Sequence, residues 1–308
     1  MPGWSEILAE IETEFAQGST APFDKVRRSY LVKCSQKTGR ATIVYASDWS
    51  NSAFKAPAHM VSIDPGDIQA LMQVLHGVSE EKLDLIIHSP GGGIDSAAAL
   101  VSYLRSKFSH IRAIVPMAAM SAAGMIACAA DEIVMGKHSF LGPSDPQFVL
   151  STMSGNRQVA AQSIIEQFEK AKSECLANPN AIVYWQPILS QYGPDLVVQA
   201  ERASALSRDY VEKWLKDYMF RGDQEATNKA KDAANWLSNH HNFNSHSRNI
   251  TRDELRSKGL KITDLENNQE EQDLFLSIFH ACTHTLQNTK LAKIVENHMG
   301  RMFVVSHA

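Results

Sequence analysis

Strand and helix patterns alternate through the first half of the chain, and this alternation predicts an α/β fold. An apolar run at residues 83–88 ends in a Ser-Pro-Gly-Gly-Gly loop at 89–93, and an alanine-rich helical pattern follows from Ser96. A second apolar run at 111–116 leads to a turn at Ser121 and then to a helix of small residues. Strands joined through helices in this way are parallel and are connected by right-handed crossovers.

The other elements of the first half are predicted from local periodicity. At the N-terminus, an apolar stripe at helical spacing with an acidic outer face indicates a helix that packs on its own domain or on a neighbouring subunit. The stripe consists of Trp4, Ile7, Leu8, Ile11 and Phe15. Next in order are strands at 29–34 and 41–46 joined by a turn, a helix that opens at 64–67, a short strand at Glu132–Met135 and a rigid loop at 141–146.

From about residue 160 the sequence is mostly helical, apart from residues 250–263. Thr251 and Glu254 there have the spacing of a capping box, and Gly259 can end a helix. Residues 222–246 are polar and are predicted to form a loop or lid around a short helix. We therefore divide the chain into an N-terminal helix at 1–22, a main domain at 23–215, and a mainly helical region at 216–308 that packs on the same domain.

The composition is that of an ordinary globular protein, with 308 residues, 44% hydrophobic and 21% charged side chains and a formal net charge of -4. A nucleic-acid-binding protein usually has a basic face, so this class is not indicated. No stretch approaches the roughly 20 apolar residues of a membrane span, and residues 1–18 lack the features of a secretory signal. The four cysteines have no CxxC spacing, which favours free thiols and a cytoplasmic location.

The two loops contain the groups that acyl transfer requires. The glycines at 91–93 leave backbone amides accessible, because no Cβ blocks the approach of a ligand. Ser121 begins a helix, so its hydroxyl is a candidate nucleophile. If the two strands are neighbours, the amides of Gly92 and Ala122 can converge on one carbonyl oxygen, as an oxyanion hole requires. The alternative is that Ser121 only caps the helix that follows it.

Four motifs occur in order: SPGGG at 89–93, AMSAAG at 119–124, ADEIVM at 130–135 and LGPSDPQ at 141–147. Together they resemble the serine dehydrogenase proteinase family, which is related to the signal-peptide-peptidase and Clp-type serine peptidases. The resemblance is strongest over residues 83–148 and weaker at 245–246, 250–262 and 293–297. It implies a ClpP/crotonase-like fold of repeated β-β-α units, here with a helical C-terminal extension.

The resemblance also implies roles for individual residues. Ser121 corresponds to the nucleophile, and Gly92 and Ala122 correspond to the donors of the oxyanion hole. Gly91 and Gly93 flank Gly92 and are expected to contact the substrate. Because relatives assemble into rings, a homo-oligomer is also expected.

The chain departs from the family pattern at one position. Relatives usually carry glycine two residues after the serine, whereas this chain has Ala123 there and Gly124 next. The extra methyl group is expected to narrow the substrate cleft or to alter the turn.

The resemblance leaves the general base open. Clp-type relatives use a histidine soon after the nucleophile, but His138 is interpreted as part of a surface loop. The signal-peptide-peptidase branch uses a lysine further downstream, where this chain has Lys170 and Lys172. Lys172 falls within an apolar helical stripe, where partial desolvation would favour the neutral amine that a base requires, whereas Lys170 points to the opposite side. The alternative for Lys172 is a snorkelling side chain whose ammonium reaches water.

Other clusters are interpreted as structural. His240, His241 and His246 lack a carboxylate or cysteine at metal-ligand spacing, so a solvated loop is favoured over a metal site. His280 and His284 lie one helical turn apart and are expected in a packed helix. The sequence has no P-loop or dinucleotide-binding pattern, so neither a metal nor a cofactor is predicted.

These observations predict a serine endopeptidase that hydrolyses a peptide or protein substrate through a Ser121–Lys172 dyad and a backbone oxyanion hole. An extended substrate is expected to pair with the backbone beside the glycine loop. Two other classes stay open: a non-catalytic ClpP-like scaffold or binding protein and, with less support, a crotonase-type acyl-CoA enzyme.

Overall fold

The computed structural model describes residues 3–50, 56–152 and 155–307. The helices are α1 Trp4–Ala16, α2 Pro22–Thr38, α3 Ala58–Val61, α4 Asp67–Leu75, α5 Ile94–Lys107, α6 Ala122–Cys128, α7 Ala161–Ala177, α8 Ile182–Leu189, α9 Leu196–Trp214, α10 Ala226–Ser238, α11 Arg252–Ser257 and α12 Gln269–Asn288. The strands are β1 Ala41–Ser47, β2 Lys82–His88, β3 His110–Val115, β4 Ala118–Ala119, β5 Glu132–Met135, β6 Phe140–Leu141, β7 Gln147–Thr152, β8 Gly155–Ala160, β9 Ile250–Thr251, β10 Ile262–Asp264, β11 Leu291–Asn297 and β12 Met302–Ser306. Of the helices described, none has the length and apolar character needed to cross a bilayer.

A seven-stranded sheet in the order β10-β5-β3-β2-β1-β11-β12 forms the centre of the molecule. The strands from β10 to β1 are parallel, whereas β11 and β12 are antiparallel to their neighbours. One face packs on α4, α5 and α6, and the other packs on α1, α2 and α12. Since both faces are covered, β2 is buried at every position except Lys82. The predicted α/β fold is confirmed.

A smaller sheet carries the repeated β-β-α pattern. After β3 the chain forms β4 and then α6, and after β5 it forms β6. β6 pairs in parallel with β4 and antiparallel with β9. The architecture therefore agrees with the ClpP/crotonase-like fold that the motifs imply.

Residues 29–34 were predicted as a strand, and this prediction is wrong because they lie within α2. Val26, Tyr30 and Cys34 recur every four residues and are buried on one side of this helix. They pack in the apolar layer that α2 shares with α1 and α12, so tertiary packing overrides the strand-like composition of this segment. Gly39 ends the helix with a φ of +64°.

The two terminal regions pack on the central sheet. Ile7 and Ile11 of α1 are buried within the chain, so this part of the predicted apolar stripe is not available to a neighbouring subunit. The region 216–308 contains α10, α11 and α12, but it also contributes β10 beside β5 and β11 beside β1. The predicted capping box at the start of α11 is confirmed.

Candidate active site

The two predicted loops meet because their strands are neighbours in the sheet. β2 pairs in parallel with β3, and beyond the sheet Ser89 forms a bridge with Ala119. Ser89 N–H donates to Ala118 O at 3.2 Å, and Met120 N–H donates to Ser89 O at 3.0 Å. The carboxyl ends of parallel strands share one edge of the sheet. The loop at 89–93, here called the first corner, and the turn at 119–122, the second corner, therefore lie side by side at this edge.

Ser121 has a backbone conformation that is rare for a residue with a side chain. Its φ is 48° and its ψ is -123°, in the half of the conformational map that L residues usually avoid. It occupies the N-cap position of α6, but its side chain makes no capping hydrogen bond. Helix capping alone therefore does not account for this serine. A strained serine at a strand-to-helix turn is typical of nucleophiles in acyl transfer.

Gly91 allows the first corner to touch the second. Its φ is 93°, and a Cβ at this position would lie 2.6 Å from Met120 O, 2.7 Å from Ser121 Cβ and 2.8 Å from Ala122 N. Attractive contacts between carbon atoms lie near 3.5–4.0 Å, so a side chain at position 91 would overlap with the second corner. The glycine backbone thus lies directly against Ser121.

Gly92 is held from its other side by Ile63. Ile63 N–H donates to Gly91 O at 2.8 Å, and Gly93 N–H donates to Ile63 O at 2.9 Å. In a parallel bridge of this kind, the residue between the two bonded positions directs its own amide away from the partner. Among the described residues, the amides of Gly92 and Ala122 have no acceptor. Gly92 lines the cavity over Ser121, whereas Ala122 is fully buried behind it.

A cavity of about 570 Å³ opens over Ser121 and the glycine loop. Other walls are formed by α3, by the start of β7, by α9 and by the segment that contains His246. Ala123 is not among the described residues that line it, because its side chain is fully buried in the core. The prediction that this methyl group narrows the cleft is therefore wrong.

His246 lines the same cavity as Ser121, and Asp145 orients its ring. His246 Nδ1 lies 2.8 Å from Asp145 Oδ1. The other carboxylate oxygen, Oδ2, lies 2.8 Å from His240 Nδ1 and accepts from Gln147 Nε2 at 3.0 Å. When Nδ1 donates to the carboxylate, Nε2 of His246 is left as the acceptor of the ring. Ser121 and His246 thus line one cavity, and the ring of His246 is bound to a buried carboxylate.

The solvated-loop interpretation is wrong for His240 and His246, since both bind the buried carboxylate of Asp145. It holds only for His241, which is exposed and pairs with Glu166. The available signal was Asp145 itself, an acidic residue between two prolines in a loop predicted to be rigid. Because Asp145 and His246 are separated by 101 positions, no local spacing connects them.

Lys172 does not have the environment predicted for it. Its side chain is 66% exposed and lies 3.6 Å from Glu169, and the side chain of Lys170 is 68% exposed. On α7 only Ala161, Ile164 and Ala171 are buried, so the apolar face is too narrow to include either lysine. Neither is among the described residues that line the cavity over Ser121. The predicted desolvation of Lys172 is wrong, and the Ser121–Lys172 dyad stays a prediction.

His88 lies buried behind the first corner, where Ser50 Oγ is 3.4 Å from its Nε2. Its Nδ1 is 3.2 Å from Ala118 O, and the rings of Trp49 and Phe279 lie 5.4 and 5.0 Å away between centroids. Complete burial lowers the pKa of His88 from 6.5 to about 4. The ring is therefore neutral near pH 7 and supports the corner as a hydrogen-bonding group.

Within residues 3–50, 56–152 and 155–307, no group of three or more His, Cys, Asp or Glu side chains is arranged to hold a metal ion. His280 lies on α12 with His284, which is buried there, as predicted.

Comparisons with known proteins place the chain in a family. Two uncharacterised proteins of Methanocaldococcus jannaschii are similar to it. One is 29% identical over 168 residues, which cover 49% of this chain and 54% of that protein. The other is 28% identical over 199 residues, which cover 64% of this chain and 57% of that protein. The chain thus spans little more than half the length of these relatives. A solved structure of a membrane-bound stomatin-specific protease is 13% identical and aligns with a TM-score of 0.37, over 65% of this chain and 74% of that one. A model of the family described as ClpP-like SDH-type serine proteinase matches residues 59–279, and the chain belongs to this family.

Proposed function

We propose that this ClpP-like SDH-type serine proteinase is an active serine peptidase with Ser121 as its nucleophile. The observation that carries the proposal is the contact between the two corners. The strained Ser121 lies against Gly91, and the unpaired amides of Gly92 and Ala122 belong to the same two corners. A nucleophile next to two main-chain donors is the arrangement that stabilises a tetrahedral intermediate.

We assign the general base to His246 rather than to Lys172. His246 Nε2 accepts the proton of Ser121 Oγ as this oxygen attacks the substrate carbonyl, and Asp145 stabilises the imidazolium that forms. The oxyanion is held by the Gly92 and Ala122 amides. His246 then donates the proton to the leaving amine, and water attacks the acyl-enzyme with His246 again as the base. The exposure of Lys172 argues against the same role for that lysine.

The substrate class that fits the cavity is an extended peptide. Ile63 already occupies one edge of the glycine loop, so a substrate pairs on the other side, where Gly91 and Gly93 line the cavity. Met125 and Leu206 add apolar side chains to the walls. Cleavage within chains, a homo-oligomeric assembly and a cytoplasmic location stay predictions.

The test is covalent labelling with a fluorophosphonate probe, which reacts with an activated serine beside an oxyanion hole. The wild-type protein should be labelled at Ser121. Ser121→Ala should abolish labelling and lower kcat for peptide hydrolysis by on the order of 10⁴-fold or more. Ser62→Ala is the matched control, because its side chain lines the same cavity and bonds only to Ala58 O. A wild-type protein without labelling would contradict the proposal and favour a scaffold or an acyl-CoA enzyme.

A further inference from the structure

Lys293 on β11 is fully buried, and its ammonium group is fully hydrogen-bonded. Nζ donates to Ser62 O at 2.7 Å and to the two carboxylate oxygens of Asp67 at 2.9 and 3.0 Å, while Asp64 Oδ2 lies 3.5 Å away. Tyr45 OH donates to Asp67 Oδ2 at 2.9 Å. Burial and the Asp67 charge raise the pKa of Tyr45, so the phenol stays neutral and remains a donor.

The bond to Ser62 O connects this buried charge to the candidate active site. Ser62 precedes Ile63, whose amide and carbonyl bond to Gly91 and Gly93 on either side of Gly92. A Cβ at Gly92 would lie 2.2 Å from Ile63 O and 2.4 Å from Ile63 N. Because the two backbones are this close, a displacement of Ile63 is transmitted directly to Gly92.

A contribution to stability alone does not account for a lysine at this position. The cost of removing an ammonium and a carboxylate from water offsets most of their attraction, and an apolar pair of similar volume is often as stable. Successive residues of a strand face opposite sides, so Glu296, three positions on, faces the other layer of the sheet and binds Arg27 and Arg28 there. Lys293 instead bonds to a main-chain oxygen of the cavity wall.

We propose that Lys293 is a positioning residue for the oxyanion hole, an inference that rests on the proposed peptidase function. By fixing Ser62 O, it holds Ile63 in register with the glycine loop and directs the Gly92 amide at the reacting carbonyl. Removal of the ammonium allows Ile63 and Gly92 to shift. Acylation then slows, while the cavity walls that bind the substrate side chains remain in place.

The experiment compares three variants of the full chain. Lys293→Met removes the ammonium but leaves the Asp67 carboxylate buried and unpaired, so Lys293→Met/Asp67→Asn is made as well to keep the network neutral. Arg27→Met is the matched control, because Arg27 is a fully buried cation that binds β11 from the opposite face. For each variant we measure peptide kcat and KM, the fluorophosphonate acylation rate, and hydrogen exchange of the Gly93 amide.

For both Lys293 variants we expect kcat and the acylation rate to fall together by about tenfold to 10²-fold, with KM within about twofold of the wild-type value. Exchange of the Gly93 amide should be faster. Arg27→Met should keep wild-type kcat and a wild-type acylation rate. A folded double variant with unchanged kcat, or with a rise in KM alone, would overturn the positioning role while the peptidase function stands. If the wild-type protein is not labelled by the fluorophosphonate, both the peptidase function and the positioning role of Lys293 are wrong. If Lys293→Met does not fold, the result for Lys293→Met/Asp67→Asn decides the positioning role.

Discussion

The corner region, residues 88–93 and 118–125, and the outer lobe, residues 147–214, are held together in different ways. In the corner region the backbone makes the contacts, and side chains at Gly91 or Gly92 would overlap with the neighbouring chain. In the outer lobe, α7 and α9 share a small buried cluster, and many large apolar side chains are exposed: Val149, Leu176, Ile182, Val183, Tyr184, Ile188, Val198 and Leu206.

This difference indicates which groups can be held in a fixed geometry for catalysis. Among the described residues, the contact that restrains Lys172 of the outer lobe is a surface ion pair with Glu169, which contributes little in water. His246 belongs to neither region, but the buried Asp145 ties it to the loop that follows β6. In the proposed mechanism, the corner region supplies the nucleophile and the amide donors, and the buried carboxylate of Asp145 holds the base, His246.

The largest expected effect separates the two candidate bases. His246→Ala should lower kcat/KM by about 10² to 10⁴-fold, because the proton of Ser121 then has no positioned acceptor. Lys172→Ala should stay within about twofold of the wild-type value, since the loss of an exposed ion pair has little effect. Steady-state peptide hydrolysis measures both.

His241→Ala is the control for the first comparison, since His241 lies in the same segment but is exposed and pairs with Glu166. If Lys172→Ala is inactive and His246→Ala is active, Lys172 is the general base of a Ser121–Lys172 dyad. The outer lobe would then also supply a catalytic group, contrary to the comparison above.

The next effect tests the contact between the corners. Gly91→Ala should lower the free energy of unfolding by about 3 kcal/mol or more and remove activity, because the methyl group overlaps with Met120 O and Ser121 Cβ. Gly259→Ala has a similar φ, 86°, but nothing lies within 4 Å of its Cβ. It should lose only about 1–2 kcal/mol, from backbone strain. Equal losses in urea denaturation would contradict the contact.

A smaller effect concerns the buried side chain of His88 behind the first corner. The native pKa of His88 is about 4, below the ordinary value of 6.5, so between these values protons bind the unfolded chain and not the folded one. The free energy of unfolding should therefore decrease as the pH falls from 6.5 towards 4, by up to about 1.4 kcal/mol per pH unit from this residue. His88→Gln should show a shallower decrease in urea denaturation across this range. Identical slopes for the two proteins would mean that His88 is not buried.

The smallest effect is expected at the position where the chain departs from its family. Ala123→Gly should lower the free energy of unfolding by about 1 kcal/mol, because glycine is less stable within a helix, and should change kcat/KM by less than about twofold. Ala203→Gly on α9 is a useful control, since Ala203 does line the cavity. A clear gain of activity in Ala123→Gly would mean that the methyl group does restrict the substrate.

The elements visible from the sequence were those with a local signature. The strands at 83–88 and 111–116, the glycine loop and the turn at Ser121 follow from residues near one another in the chain. His246 and Lys293 fall in segments of weak family resemblance, but no local pattern links them to their partners, because Asp145 and Asp67 are 101 and 226 positions away. Periodicity placed Lys172 in an apolar stripe, but the width of the stripe depends on what packs against α7. Similarly, residues 29–34 are helical as part of α2 because of the contacts that α2 makes with other helices, and their own composition did not indicate this.

Lys293 is synthesised long after the other residues of the candidate site. Asp67, the glycine loop and Ser121 all leave the ribosome long before β11, since 226 positions separate Asp67 from Lys293. A nascent polypeptide that has been translated only to residue 290 contains the Ser121 hydroxyl but lacks the ammonium that bonds to Ser62 O. If Lys293 positions the oxyanion hole as proposed, a chain truncated before β11 should hydrolyse peptides slowly.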